Sequence, residues 1–312
     1  MSSSLSIVIP TRDRGSFLVA AVESALVCAR ADDEIVVVDD GSTDDSLSRL
    51  EPHAWRITVI RGAYGSAGAA RNAGAAATTG DYLAFLDSDD LMLPGKTSDL
   101  VEALDAHPDT ALMHGTTEVI DAENLPVPVL TARQLTSFAT GAGVGTDYAG
   151  LAEYCAMFTS ATLLRRSAFE AAGGYDESLE AYEDWDLYLR LSTDWQLRYH
   201  DAPAARYRIW PGNVPWHETA RWTAAVAERH LAAPPPLSEA DARRARYGLL
   251  RRLTTSYHVL ADRPRTRRSA LAAARLDPSR ALRDRDVRGP FLRSFAPAKL
   301  LKARRPPLDP TV

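Results

Sequence analysis

Only two cysteines occur in 312 residues, Cys28 and Cys155. They are far apart and lack CxxC spacing, which excludes a disulfide-stapled scaffold and a cysteine zinc site. Long apolar runs are also missing. No stretch approaches the ~20 apolar residues of a membrane-spanning helix, and Leu5–Pro10 is too short for the apolar part of an export signal. The expected setting is therefore reducing and cytoplasmic. The dinucleotide fingerprint GxGxxG does not occur. Gly95-Lys96-Thr97 lacks the glycine that a phosphate-cradling loop needs five residues earlier, where Asp90 stands, so these residues read as a helix start. Aromatic residues are few among the basic residues of the C-terminal third, which argues against a nucleic-acid partner.

Charge is unevenly distributed. From Glu239 onward there are 19 Lys and Arg against 7 Asp and Glu, a net +12, while the rest carries 17 against 34, a net −17. An acidic body with a basic extension is expected, the body over 1–216 and a helical, basic region over 217–312. Peripheral contact of that region with an anionic membrane surface, at the inner face, is the expected use of its charge.

The first hundred residues alternate short apolar runs with helical stretches. Ile7–Ile9, Ile35–Val38, Ile57–Ile60 and Tyr82–Leu86 are continuous and mostly β-branched or aromatic, the pattern of strands buried on both faces of a parallel sheet. Helical segments are expected at about Ser16–Ala29, Asp44–Leu50 and Ala67–Ala77, giving βαβ units of an α/β fold. Further on, a helix is expected from Pro94 to about Ala106, an irregular insertion over 121–150, and helices over Tyr182–Leu191, Ala240–Leu260 and Arg267–Arg275. Ligands of open parallel sheets bind at the carboxyl ends of the strands. That singles out the loops Pro10–Arg14, Asp39–Thr43, Gly62–Asn72 and Asp87–Asp90.

Each loop carries chemistry. Asp39-Asp40-Gly41-Ser42-Thr43 puts carboxylates at a strand tip, with Ser42 or Thr43 placed to cap a following helix. Asp87-Ser88-Asp89-Asp90 crowds three carboxylates into four residues. Two of them at i and i+2 suit one hard divalent cation. Gly65–Gly74 offers close backbone approach and Arg71, a fork for phosphate. Glu183-Asp184-Trp185-Asp186 heads a helix, where acids meet the dipole, and one of them can serve as a general base.

Taken in order, SIVIPTRDR, EIVVVDDGSTD, GAARNAG, FLDSDD, RRSAFEAAGGYDE and EDWDLYLRL resemble the inverting family 2 glycosyltransferases over about residues 5–215. The resemblance implies a GT-A fold, a mainly parallel Rossmann-like sheet carrying the helical extension, and makes the body over 1–216 the catalytic domain. It also implies transfer of a sugar from a nucleoside-diphosphate sugar, a UDP-sugar foremost, to a glycan, glycolipid or small-molecule hydroxyl. The setting it implies is cell-surface polysaccharide or glycolipid assembly. Pro10, Thr11, Arg12, Asp39 and Asp40 would line the nucleoside pocket, and Arg71 the base or diphosphate. Asp87 and Ser88 would sit on the donor, and Asp87 and Asp89 on Mn²⁺ or Mg²⁺. Asp184 would be the base, with Glu183, Trp185 and Trp210 on the acceptor side. Two departures stand out. Arg12-Asp13 replaces the usual aromatic and Asn. Trp210 stands where many relatives carry a metal-reaching His, and with Trp216 it would instead floor the acceptor site. A nucleotidyltransferase on the same sheet is disfavoured by the poor Pro10–Gly15 version of its loop, and a non-catalytic scaffold has no need of both acidic motifs.

Overall fold

The computed structural model describes residues 3–127, 146–155, 157–213 and 216–295. Most of the insertion expected at 121–150, the side chain of Trp216 and the chain beyond 295 lie outside these residues. The chain divides into two units. One runs to Thr146 and resumes over 156–210, and the other takes Asp147–Cys155 and the chain from Pro211.

The first unit is built on strands β1 (Leu5–Thr11), β2 (Glu34–Asp39), β3 (Thr58–Arg61), β4 (Tyr82–Phe85), β5 (Leu91–Met92), β6 (Thr110–Ile120), β7 (Thr162–Arg165) and β8 (Gln196–Arg208). Its helices are α1 (Gly15–Cys28), α2 (Ala67–Ala76), α3 (Lys96–Asp105), α5 (Arg166–Ala171) and α6 (Glu183–Asp194). The sheet order is β3-β2-β1-β4-β7-β6-β8-β5. The β3-β2-β1-β4 half is parallel, as the apolar runs predict, while β7 pairs antiparallel with both β4 and β6.

Every residue of β1 is buried. Leu5, Ile7, Val8 and Ile9 each contribute about 1.5–3 kcal/mol by leaving water. Two expectations are corrected. β3 is largely exposed because it forms the sheet edge, so its apolar run is not buried on both faces. Residues 44–47 make no helix, and a 3₁₀ turn begins only at Ser48. The hydroxyls expected to cap that helix bond elsewhere: Ser42 Oγ accepts from Asp13 N, and Thr43 Oγ1 donates to Asp13 Oδ1, while Ser46 Oγ accepts from Arg14 N and Gly15 N.

Gly74 lets α2 press against the sheet. A Cβ there would lie 2.2 Å from Val8 Cγ1 and 2.9 Å from Val38 Cγ2. This approach carries Arg71, one turn earlier, to the strand ends.

The second unit comprises α4 (Tyr148–Glu153), α7 (Trp216–Ala232), α8 (Glu239–Val259), α9 (Arg263–Leu276), α10 (Pro278–Arg283) and α11 (Arg285–Arg293). Tyr247, Leu250, Ala270, Ala273, Ala281 and Val287 form its core. The short segment 147–155 belongs here because Glu153 gathers arginines from two helices, Arg244 at 2.8 Å and Arg280 at 2.7 Å. Gly248 also lets α8 touch the Ala152 backbone. Among the described residues, no helix is long and apolar enough to cross a membrane.

Candidate active site

At the carboxyl ends of β1 and β2, Thr11 and Asp39 are register partners. Both are buried. Thr11 Oγ1 has no hydrogen-bond partner among the described residues. Asp39 Oδ1 accepts from Ser42 N at 3.0 Å. Pro10 is buried beside them, opposite Val38. Asp40 Oδ1 accepts from Tyr64 N and Gly65 N, which anchors the loop after β3. Its other oxygen is 3.8 Å from Arg12, a side chain 63% exposed. Asp13, where an Asn was noted as usual, takes a left-handed φ of 50° and accepts from Thr43 N and Asp44 N. A short polar side chain that bonds locally tolerates that backbone well. The result is an unpartnered hydroxyl and a carboxylate side by side on adjacent strand ends.

The loop after β4 is held from below. Ser160 Oγ accepts from Asp87 N at 3.1 Å and donates to buried Asp90 at 2.6 Å. Asp90 also accepts from Arg208 N, and Arg208 Nε donates to the Asp89 carbonyl. Lys96 Nζ, wholly buried, donates to Ser160 O, and burial pulls its pKa down to about 8. Gly95 starts α3 with φ 89°, so Gly95-Lys96-Thr97 is a helix start as the sequence predicts. Asp90 is therefore structural. Burial, reinforced by the charges of Asp89 and Asp87, pushes its pKa well up.

Asp87 and Asp89 are differently partnered. Asp87 Oδ1 accepts from Arg71 at 2.5 Å, and Arg71 reaches Glu183 at 2.5 Å with its other terminal nitrogen. Asp89 Oδ2 accepts from the Trp210 indole at 2.9 Å and lies 3.8 Å from Arg14. Burial, and then the charge of Asp87, raises the Asp89 pKa. Ser88 between them is buried. Each of the two carboxylates keeps one oxygen that no other residue engages among the described residues. Such a pair of hard oxygens, mutually repelling in a half-desolvated loop, fits a divalent cation completed by phosphate and water. No group of three or more His, Cys, Asp or Glu side chains suited to a metal occurs among the described residues.

Arg71 ties this loop to the head of α6. Its guanidinium is buried, stacks 5.3 Å from the Tyr175 ring centroid, and leaves Nε–H unpartnered among the described residues. Next to Glu183, Asp184 accepts from its neighbour's N–H, Trp185 N, at 2.6 Å and from Thr159 Oγ1 at 3.4 Å. Burial, then the charge of Glu183, lifts its pKa to about 7, and the charges of Arg71 and Asp87 also reach it. Asp87, of the first acidic motif, thus lies within electrostatic reach of Asp184, of the second. A half-buried carboxyl poised there is suited to accept a proton.

Two expectations for the acceptor side need correcting. Trp185 is 1% exposed, turned into the core as the helical period of α6 dictates, and offers no open stacking face. Glu183 is the buried partner of Arg71 rather than an open acceptor wall. Trp210 comes to Asp89, against Phe17 and Arg14. Ser160, Lys96, Arg208 and Arg14 were not foreseen. Only Tyr207-Arg208-Ile209-Trp210 carried a signal, through its departure from the usual His.

Known proteins resemble this chain in sequence and in fold. Residues 6–172, more than half of the chain, match the family described as Glycosyl transferase family 2. An uncharacterized glycosyltransferase of Nostoc sp. is 36% identical over 137 residues, 41% of this chain and 42% of that protein. The chain therefore spans less than half the length of that curated relative. S. aureus TarS (residues 1–349), solved with UDP-GlcNAc, superposes with a TM-score of 0.64 at 17% identity, covering 94% of this chain and 89% of that one. The mannosyltransferase PcManGT of Pyrobaculum calidifontis, solved with GDP-Man and Mn²⁺, gives 0.62 at 14% identity, covering 96% and 83%.

Proposed function

The chain belongs to glycosyl transferase family 2 and has the GT-A fold, and on that basis we propose that it is an inverting, metal-assisted glycosyltransferase. The donor is a nucleoside-diphosphate sugar, a UDP-sugar foremost, as the UDP-GlcNAc complex of TarS supports. The GDP-Man complex of PcManGT supports the same diphosphate chemistry with another base. The acceptor is a hydroxyl of a glycan, glycolipid or small molecule, in cell-surface polysaccharide or glycolipid assembly.

One observation carries the reading: Arg71 bridges Asp87 and Glu183, and the charge of Asp87 reaches the neighbouring carboxyl of Asp184. Thr11 and Asp39, with Pro10, Arg12 and Asp40 around them, take the nucleoside. Asp184 accepts the proton of the acceptor hydroxyl. The freed oxygen forms a bond to the anomeric carbon as the bond to the diphosphate breaks on the opposite face, and the electron pair leaves on the diphosphate. Attack opposite the leaving group inverts the configuration. Arg71 meets the growing negative charge, aided by its unpartnered Nε–H. When bound, Mn²⁺ or Mg²⁺, held by Asp87 and Asp89, supplies Lewis-acid stabilisation of the departing diphosphate. Asp184→Asn should abolish transfer while sparing donor binding. Full turnover by that variant would refute the base assignment.

The helical unit supports peripheral contact with the inner membrane face. Leu271 of α9 (42% exposed), Leu292 of α11 (61%) and Phe295 (58%) lie open to solvent. The Arg267 guanidinium stacks 4.1 Å from the Phe295 ring centroid. Exposed Arg268 and Arg275 share a helix face with Leu271, and exposed Arg285 and Arg288 share one with Leu292. Each arginine near an anionic surface adds about 1 kcal/mol of attraction.

A further inference from the structure

Behind the loop after β4, Trp210 belongs to a column of two rings held between two cations. The Arg208 guanidinium lies 4.6 Å from the centroid of Phe17, Phe17 meets Trp210 edge-on at 5.0 Å, and Arg14 lies 5.4 Å from the indole centroid. Both ends of the column grip Asp89. Arg208 Nε donates to its carbonyl at 2.6 Å, and the indole Nε1–H donates to its Oδ2 at 2.9 Å. Arg14 approaches that same oxygen, at 3.8 Å. The bonds from other residues therefore converge on the backbone carbonyl and on Oδ2, and Oδ1 receives none among the described residues. Phe17 and Arg14 belong to α1 and the loop before it, while Arg208 and Trp210 stand at and just past the end of β8. Elements far apart in the chain thus fix one carboxylate in one rotamer.

We infer that Trp210 is a positioning residue for the cation site: its indole N–H occupies Oδ2 of Asp89 and so turns Oδ1 toward the cation that the donor diphosphate brings. At the place where many relatives were expected to use a histidine, this chain supports the carboxylate from behind. The usual alternative for such a tryptophan, a floor for the acceptor sugar, does not require the N–H to be spent on a metal-binding carboxylate. Partners that orient a ligand oxygen typically change metal affinity 10–100-fold when removed. Trp210 can act this way only if Asp87 and Asp89 hold a cation as proposed above.

The test is calorimetric titration of Mn²⁺ into the full chain saturated with UDP, repeated with GDP, for the wild type, Trp210→Phe and Trp210→His. Trp210→Phe keeps a ring against Phe17 and Arg14 but has no N–H. It should bind Mn²⁺ at least 10-fold more weakly, with unchanged nucleotide affinity in EDTA and a cooperative melting transition retained. Trp210→His restores an N–H, and it should recover most of the lost Mn²⁺ affinity. In steady-state assays the Phe variant should need more Mn²⁺ for half-maximal rate, with kcat at saturating metal close to the wild type. Wild-type Mn²⁺ affinity in Trp210→Phe would overturn the inference alone. A wild-type chain that binds nucleotide but takes up no Mn²⁺ would overturn the cation reading, and this role with it. Should Trp210→Phe fail to fold, a Trp210→His variant no tighter for Mn²⁺ than Asp89→Ala would overturn it instead.

Discussion

Replacing Asp184 by Asn should make the protein inactive and, above neutral pH, more stable. An ordinary Asp ionises near 3.8, whereas burial and the charge of Glu183 hold Asp184 near 7. Between these values the native state binds a proton that the unfolded chain has released, so stability falls as pH rises through this window and levels off above 7. From pH 5 to pH 8 the native carboxyl accumulates about 3 kcal/mol of this penalty, two pH units at about 1.4 kcal/mol each. Solvent reaching a half-buried group reduces it to roughly 1–2 kcal/mol. Asn carries no such penalty. The melting-temperature gap between Asp184→Asn and the wild type should therefore widen by roughly 3–6 °C from pH 5 to pH 8, at about 2–4 °C per kcal/mol for a unit of this size. Scanning calorimetry reads it, and the transition that shifts with UDP and Mn²⁺ marks the unit carrying the site. Wild-type kcat/KM should fall below about pH 7 as the base protonates. A gap of equal size at both pH values would refute the reasoning, as would an Asn variant less stable at pH 8.

Ser160→Ala removes the hydroxyl that accepts from Asp87 N and donates to Asp90. Leaving these buried groups unpaired should cost about 1–3 kcal/mol in urea unfolding and weaken binding of Mn²⁺ with UDP. Gly74→Val forces side-chain atoms into Val8 and Val38. It should destabilise the first unit by about 3 kcal/mol or more and lower donor affinity by displacing Arg71. For the helical unit, sedimentation with vesicles should show binding to phosphatidylglycerol mixtures but not to pure phosphatidylcholine. Leu271→Ser with Leu292→Ser should reduce that binding several-fold, and equal binding by the double variant would count against membrane contact.

Much of this was legible in the chain because it is local. Apolar runs ending in polar loops marked β1, β2 and β4, and the loops at their ends hold Thr11, Asp39, Asp40, Asp87 and Asp89. The helix starts at Lys96 and Glu183 followed from Gly95 and from acids at a helix head. Misreadings arose where neighbours far along the chain decide. β3 has the composition of a buried strand, but its place at the edge exposes it. Ser42 and Thr43 look like helix caps, yet their hydroxyls bond to Asp13 in the loop after β1.

The sequence by itself determined that a parallel α/β half-sheet presents acidic loops at one end, since hydrophobic period and turn chemistry act over a few residues. Only the tertiary structure decided how those acids are wired. Arg71 joins Asp87 to Glu183, Ser160 carries Asp90, and Trp210 holds Asp89. Each of these links two stretches whose separation no local pattern encodes, and burial, which gives the contacts their strength and moves Asp184 toward neutrality, exists only once the chain has folded.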